Sequence, residues 1–148
     1  MKRKQPQPSD PIDLAARALR HRDRSRSQLD ERLARAGVED DRRADALDAL
    51  ERIGYVDDAR FAGQRAASLA ERGYGDDAIS ALLAADGVPP ELAGEAVGAL
   101  RPESERAAEI VASLGASPRT AARLARKGFG EDAVEAAAGR FATDESEA

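Results

Sequence analysis

Three stretches of the chain share one offset pattern: QLDERLARAGV (28–38), AISALLAADGV (78–88) and TAARLARKGF (120–129). Each sets a leucine (Leu33, Leu83, Leu124) four residues before a glycine (Gly37, Gly87, Gly128), with an apolar residue directly after it. Ten residues past the glycine stands Leu47, Val97 or Ala138, and thirteen past it Leu50, Leu100 or Phe141. A helix stopped by a left-handed glycine cap, then a second helix with apolar positions at fixed offsets, describes a repeating unit. Repeated at these offsets, it reads as tandem three-helix units. The glycines lie 50 and then 41 residues apart, the excess falling in a long helix over 57–72. An irregular alanine-rich bundle is the alternative, and it has no reason to keep these offsets.

Alanine supplies 33 residues, more than half of the 42% that is hydrophobic. It adds little buried area, so 148 residues of this make-up favour several thin cores over one compact sphere. Val, Ile and Thr total twelve and never alternate for long, which leaves strands without material. Glycines also stand at 54, 73 and 115, where helices end, and prolines at 11, 89, 90, 102 and 118, where they begin. The pattern predicts an all-α fold of nine helices at 11–22, 25–36, 40–53, 57–72, 76–86, 90–100, 103–114, 117–127 and 130–141. They group into three tandem three-helix repeats, 10–54, 55–101 and 102–141, in an elongated, curved array. Its radius of gyration should exceed the value of about 15 Å expected of a compact chain this long. The basic segment 1–9 and the acidic segment 142–148 read as disordered tails.

Composition also narrows the chemistry. There is no cysteine for a disulfide framework or thiolate site, and His21 is the one histidine. No Gly-rich phosphate loop leads into Lys-Ser/Thr, and no nucleophile stands beside a base. The expectation is a protein with no catalytic activity, cofactor or metal. No apolar run approaches about 20 residues, and MKRKQPQPSDP has no apolar segment behind it, so a cytoplasmic, membrane-free location is expected.

The net charge of −5 is unevenly spread. Residues 1–26 carry eight Lys/Arg against three Asp/Glu, and 106–130 five against one. Between them, 27–73 carry eight against eleven and 74–105 one against seven, while 131–148 carry one against six. Two basic islands thus flank an acidic middle. A uniformly basic stripe, the footprint of an independent DNA binder, is absent, and the acidic remainder repels naked DNA. The pattern favours a protein partner with nucleic acid nearby.

Residues 16–37 (ARALRHRDRSRSQLDERLARAG) and 52–88 resemble the RecX family, regulators of the RecA recombinase. The resemblance rests on Arg22 and Ser25, the Leu29/Leu33 pair, the run Gly-Tyr-x-Asp-Asp-x-x-Phe-Ala over 54–62, and Gly73-Tyr74-Gly75. LARKGFGEDAVEAA in the third unit is similar to a Gly-Phe segment of that family. It implies a modular all-α protein of three-helix repeats that lodges in the groove of the RecA–DNA filament and restrains its ATPase, recombinase and coprotease activities; the array itself is expected to be a monomer. DNA phosphates would be met through the filament. One departure is DDAISALLAAD after Gly75, where the family commonly has basic residues; Asp76 and Asp77 cannot contact phosphate. A helical-repeat adaptor or an independent DNA-binding protein is the other reading.

Candidate residues follow. Phe61, with Ala62, Ala66, Leu69 and Ala70 on its helix face, reads as a core anchor. Asp57 and Asp58 read as caps at that helix start, and Tyr55 as a ring packed across the junction of repeats one and two. Gly63 reads as a site of close helix crossing. Arg119, Arg123 and Arg126 recur at i, i+4 and i+7, with Lys127 adjoining and Ala121, Leu124 and Ala125 opposite. The face is of one sign, with no glutamate interspersed. Arg17, Arg20, Arg22, Arg24 and Arg26 form the first island, where part can cap helix-one carbonyls and the rest meet phosphates or acidic protein. His21 reads as a bystander among them. A solvated surface is the bland alternative for both.

Overall fold

Helices start where a side chain can satisfy the first free N–H groups. In the computed structural model, which describes residues 10–139, α1 (Pro11–His21) opens on Asp10, whose carboxylate accepts from the Ile12 N–H at 3.0 Å. Then α2 (Arg26–Arg35) opens on a capping box, with Ser25 and Gln28 bonding each other's backbone N–H at 3.1 Å each. α3 (Asp40–Arg52), α4 (Asp58–Glu71), α5 (Asp76–Ala85), α6 (Pro90–Gly98), α7 (Glu103–Leu114), α8 (Pro118–Arg126) and α9 (Glu131–Ala137) follow, with no strand among the described residues. The six glycines expected to end helices have φ between +82° and +86°. α9 stops at Ala137, short of the expected 141, with Gly139 at φ +78°. The two tails and Phe141 lie outside the described residues.

The apolar side chains collect into three separate cores. Ala15, Ala18, Leu29, Leu33, Leu47 and Leu50 fill the first, between α1, α2 and α3. Phe61, Ala66, Leu69, Ile79 and Leu83 fill the second, between α4, α5 and α6, and Ala107, Leu124, Phe129 and Ala137 the third, between α7, α8 and α9. Val56 joins the first core although it falls in 55–101, because its N–H reaches back to the Leu50 carbonyl at 3.3 Å. The chain is an all-α array of helical repeats.

Successive units are joined by one junction used twice. Ser25 Oγ, at the start of α2, donates to the Asp86 carbonyl at the end of α5 at 2.5 Å. Likewise the Gly75 N–H, at the start of α5, donates to the Lys127 carbonyl at the end of α8 at 2.7 Å, and Asp77 N–H to Gly128 O at 3.2 Å. The middle helices therefore stand head to tail, each positive N-terminal pole against a negative C-terminal pole. A carboxylate from the following unit's first helix completes each joint: Asp58 Oδ1 accepts from Arg26 N–H at 2.8 Å, and Glu103 Oε1 from Asp76 N–H at 3.0 Å. The third unit has Pro118 at this position, with no N–H to offer, so the series cannot continue through the same bond.

Three expectations for the 54–75 run change accordingly. Asp57 caps its own helix, accepting from the Arg60 N–H at 3.0 Å, but Asp58 caps α2 of the preceding unit. The Tyr55 ring does not pack across the junction; it is 57% exposed, and Arg60 instead ties that turn, donating to the Gly54 and Tyr55 carbonyls and pairing with Asp23 at 3.2 Å. Gly63 faces solvent with no neighbour within 4 Å of where a Cβ would stand, so no helix crosses there. Phe61 is buried, as expected of an anchor.

Candidate partner-binding surface

The shape of α8 follows from three buried side chains on one side. Thr120, Ala121 and Leu124 turn inward, Thr120 Oγ1 donating to the Gly115 carbonyl at 2.7 Å while Ser117 caps the helix start. Ala125, expected on this buried side, is exposed, because the inward stripe is narrower than the assumed half-cylinder. Arg119, Arg123 and Arg126 are consequently all exposed along the outer side of α8, and none forms an ion pair among the described residues.

Several arginines elsewhere are neutralised: Arg43 by Asp30 and Asp40, Arg65 by Asp86 at 3.0 Å, Arg101 by Glu105 and Glu109, and Arg106 by Asp76. Arg106 also donates to the Tyr74 and Arg101 carbonyls at 3.0 Å each, so it is a tie within the second junction. α8 carries no carboxylate at all, which leaves its three guanidinium groups a field of one sign.

The first island divides in two. Arg24 Nε donates to the Ala18 carbonyl at 3.2 Å, closing the end of α1; burial, and then the charges of Arg22 and Arg32, hold its guanidinium below the ordinary arginine value. Arg26 pairs with Asp48 at 2.7 Å and Glu51 at 3.0 Å; burial works to lower it, but those two bonds outweigh burial and hold it above its ordinary value. Both are occupied in holding the first unit together. Arg17, Arg20 and Arg22 are exposed and unpaired among the described residues, and His21 is exposed beside them.

Lys127 differs from its neighbours on α8. Its ammonium stands 4.2 Å from the centroid of the Tyr74 ring, and the Arg72 guanidinium stands 5.9 Å from the same ring. Tyr74, within the Gly-Tyr-Gly motif, takes the junction position expected of Tyr55, but between units two and three. Arg72 lies outside both basic islands of the sequence, because its link to Lys127 through the Tyr74 ring crosses between units. Among the described residues, no group of three or more His, Cys, Asp or Glu is placed to hold a metal ion, and no helix is long and apolar enough to cross a membrane.

Comparisons with known proteins agree on one family. The family model described as the second three-helix domain of RecX matches residues 57–97, the span of α4 to α6. A protein of Chromohalobacter salexigens named regulatory protein RecX is 43% identical over 132 residues, covering 83% of this chain and 87% of that one. One of the same name from Stenotrophomonas maltophilia is 29% identical over 146 residues, covering 92% and 90%. The crystal structure of RecX from Lactobacillus salivarius superposes with a TM-score of 0.75 at 16% identity, over 87% of this chain and 92% of that one, and so shares the fold. With its repeat architecture, its 54–62 and 73–75 motifs and a relative of this identity over most of both lengths, the chain belongs to the RecX family of regulatory proteins.

Proposed function

We propose that this protein binds the RecA recombinase, in the groove of its filament on DNA, and restrains ATP turnover, strand exchange and coprotease activity. The observation that carries the reading is the α8 face: three exposed arginines, unpaired among the described residues, in a chain that pairs several of its others and has a net charge of −5. An acidic protein with one strong basic face is built to meet a negative surface locally while being repelled from naked DNA. The array bridges neighbouring recombinase protomers along the groove, with Asp76 and Asp77 of the middle unit against protein rather than phosphate. Bridging hinders the protomer motions that couple ATP turnover to strand exchange, so the protein acts without chemistry of its own, in the cytoplasm and as a monomer.

Co-sedimentation with preformed recombinase filaments on single-stranded DNA tests this. The wild type is expected to pellet with filaments and to bind naked duplex weakly. Replacing Arg119, Arg123 and Arg126 with glutamate reverses three charges that make no ion pair among the described residues, so helicity and melting should hold while filament binding falls by about tenfold or more. The loss should be largest at low salt, where charge contacts are least screened. A folded triple variant that pellets like the wild type would show the face to be ordinary surface and leave Arg17, Arg20 and Arg22 as the remaining candidates. Tight binding to naked duplex with a steep salt slope would instead favour an independent DNA-binding protein.

A further inference from the structure

Between units two and three lies a cleft of about 240 Å³ walled by three cations. Arg72 comes from the end of α4, and Arg123 and Lys127 from the end of α8. Ile110, Leu114 and Leu124 supply the apolar part of its lining, with Leu114 53% exposed. Lys127 and Arg72 converge on the Tyr74 ring, at 4.2 and 5.9 Å, although like charges repel. The electron-rich ring holds each in place. No carboxylate pairs with Arg72, Arg123 or Lys127 among the described residues, although exposed Glu71 lines the same cleft. The backbone beneath is fixed, because the Lys127 carbonyl accepts the Gly75 N–H across the junction. The site is thus a preformed concentration of positive charge beside an exposed aliphatic side chain, and an anion entering it relieves the repulsion.

The surroundings decide which anion. Exposed Glu71 lines the cleft itself, so a nucleic-acid backbone, with a charge at every step, would be repelled beside the three cations. A single carboxylate is not. Leu114 adds a surface for an alkyl group that a phosphate chain cannot use. We propose that this cleft docks an acidic–apolar segment of a protein partner, one carboxylate among Arg72, Arg123 and Lys127 and a neighbouring aliphatic side chain against Leu114. The proposal rests on the reading of the protein as a partner-binding regulator and names what the partner must present.

Fluorescence anisotropy on the full chain tests it, with a labelled peptide of alternating aspartate and leucine as probe. The same peptide with asparagine for aspartate, and oligothymidylate, serve as comparisons. The acidic peptide should bind the wild type, and the neutral one should not. The double variant Arg72→Gln, Lys127→Gln should bind the acidic peptide about tenfold more weakly, with melting unchanged. If that variant melts early, Arg72→Lys with Lys127→Arg keeps both charges and should keep binding. Equal binding of the neutral peptide, or wild-type affinity in the glutamine variant, overturns the proposal. So does an oligothymidylate affinity that depends on Arg72 and Lys127 while the acidic peptide fails to bind. Filament pelleting by the same variants separates the two ideas. Peptide binding without filament binding sinks only the recombinase reading, and unaltered filament binding with no peptide binding sinks only the cleft.

Discussion

Gly128→Ala is expected to undock the third unit from the second. Gly128 has φ +85°, a conformation that costs a residue with a Cβ about 1–3 kcal/mol. The new Cβ would also stand 2.4 Å from Ala78 Cβ and 2.6 Å from Ala78 N, at the first turn of α5. Neither atom is the end of a flexible side chain, so the helices must part, at a further cost of about 1–3 kcal/mol. Gly37→Ala is the matching control. Gly37 has the same φ, +85°, but among the described residues no heavy atom lies within 4 Å of the added Cβ at this end of α2. Chemical denaturation followed by circular dichroism should show Gly128→Ala losing clearly more stability than Gly37→Ala, with unit three melting apart from the rest. Equal losses would contradict the head-to-tail junction.

Phe61→Ala should cost the second unit about 3–5 kcal/mol. The ring is 7% exposed, and its core neighbours include Ala62, Ala66, Ala93 and Ala96, short side chains that cannot move in to fill the space. Asp57→Ala, four residues earlier, should cost only about 1 kcal/mol, because it removes one cap bond to the Arg60 N–H. The folded Asp57 variant should still act on its partner. Undiminished stability together with lost activity would mark Asp57 as part of a site rather than a cap.

What could be read from the sequence was local. Leu33, Leu83 and Leu124 each sit four residues before a positive-φ glycine, so helix ends and core positions follow from spacing alone. The junctions were not legible, since they join distant residues: Ser25 meets Asp86 across 61 positions, and Asp58 meets Arg26 across 32. From the sequence Asp58 looks like a second cap on α4, because nothing local reveals that α2 begins beside it. Tyr55 and Tyr74 each follow a glycine that ends a helix, and only stacking shows which one another unit reaches. The basic islands divided for the same reason. Arg26 resembles Arg119 and Arg123 until the fold brings Asp48 and Glu51 against it. The α8 face stood out because its isolation is local, with no carboxylate on the helix itself.

We propose that the protein slows the RecA recombinase by occupying its filament. The most direct measurement is the steady-state ATPase rate of the cognate recombinase on single-stranded DNA, titrated with this protein. The account predicts a rate that falls as the protein is added. It also predicts that the protein in which Arg119, Arg123 and Arg126 are replaced by glutamate lowers the rate far less at equal concentration. An ATPase rate unchanged by saturating, folded wild-type protein would contradict the account.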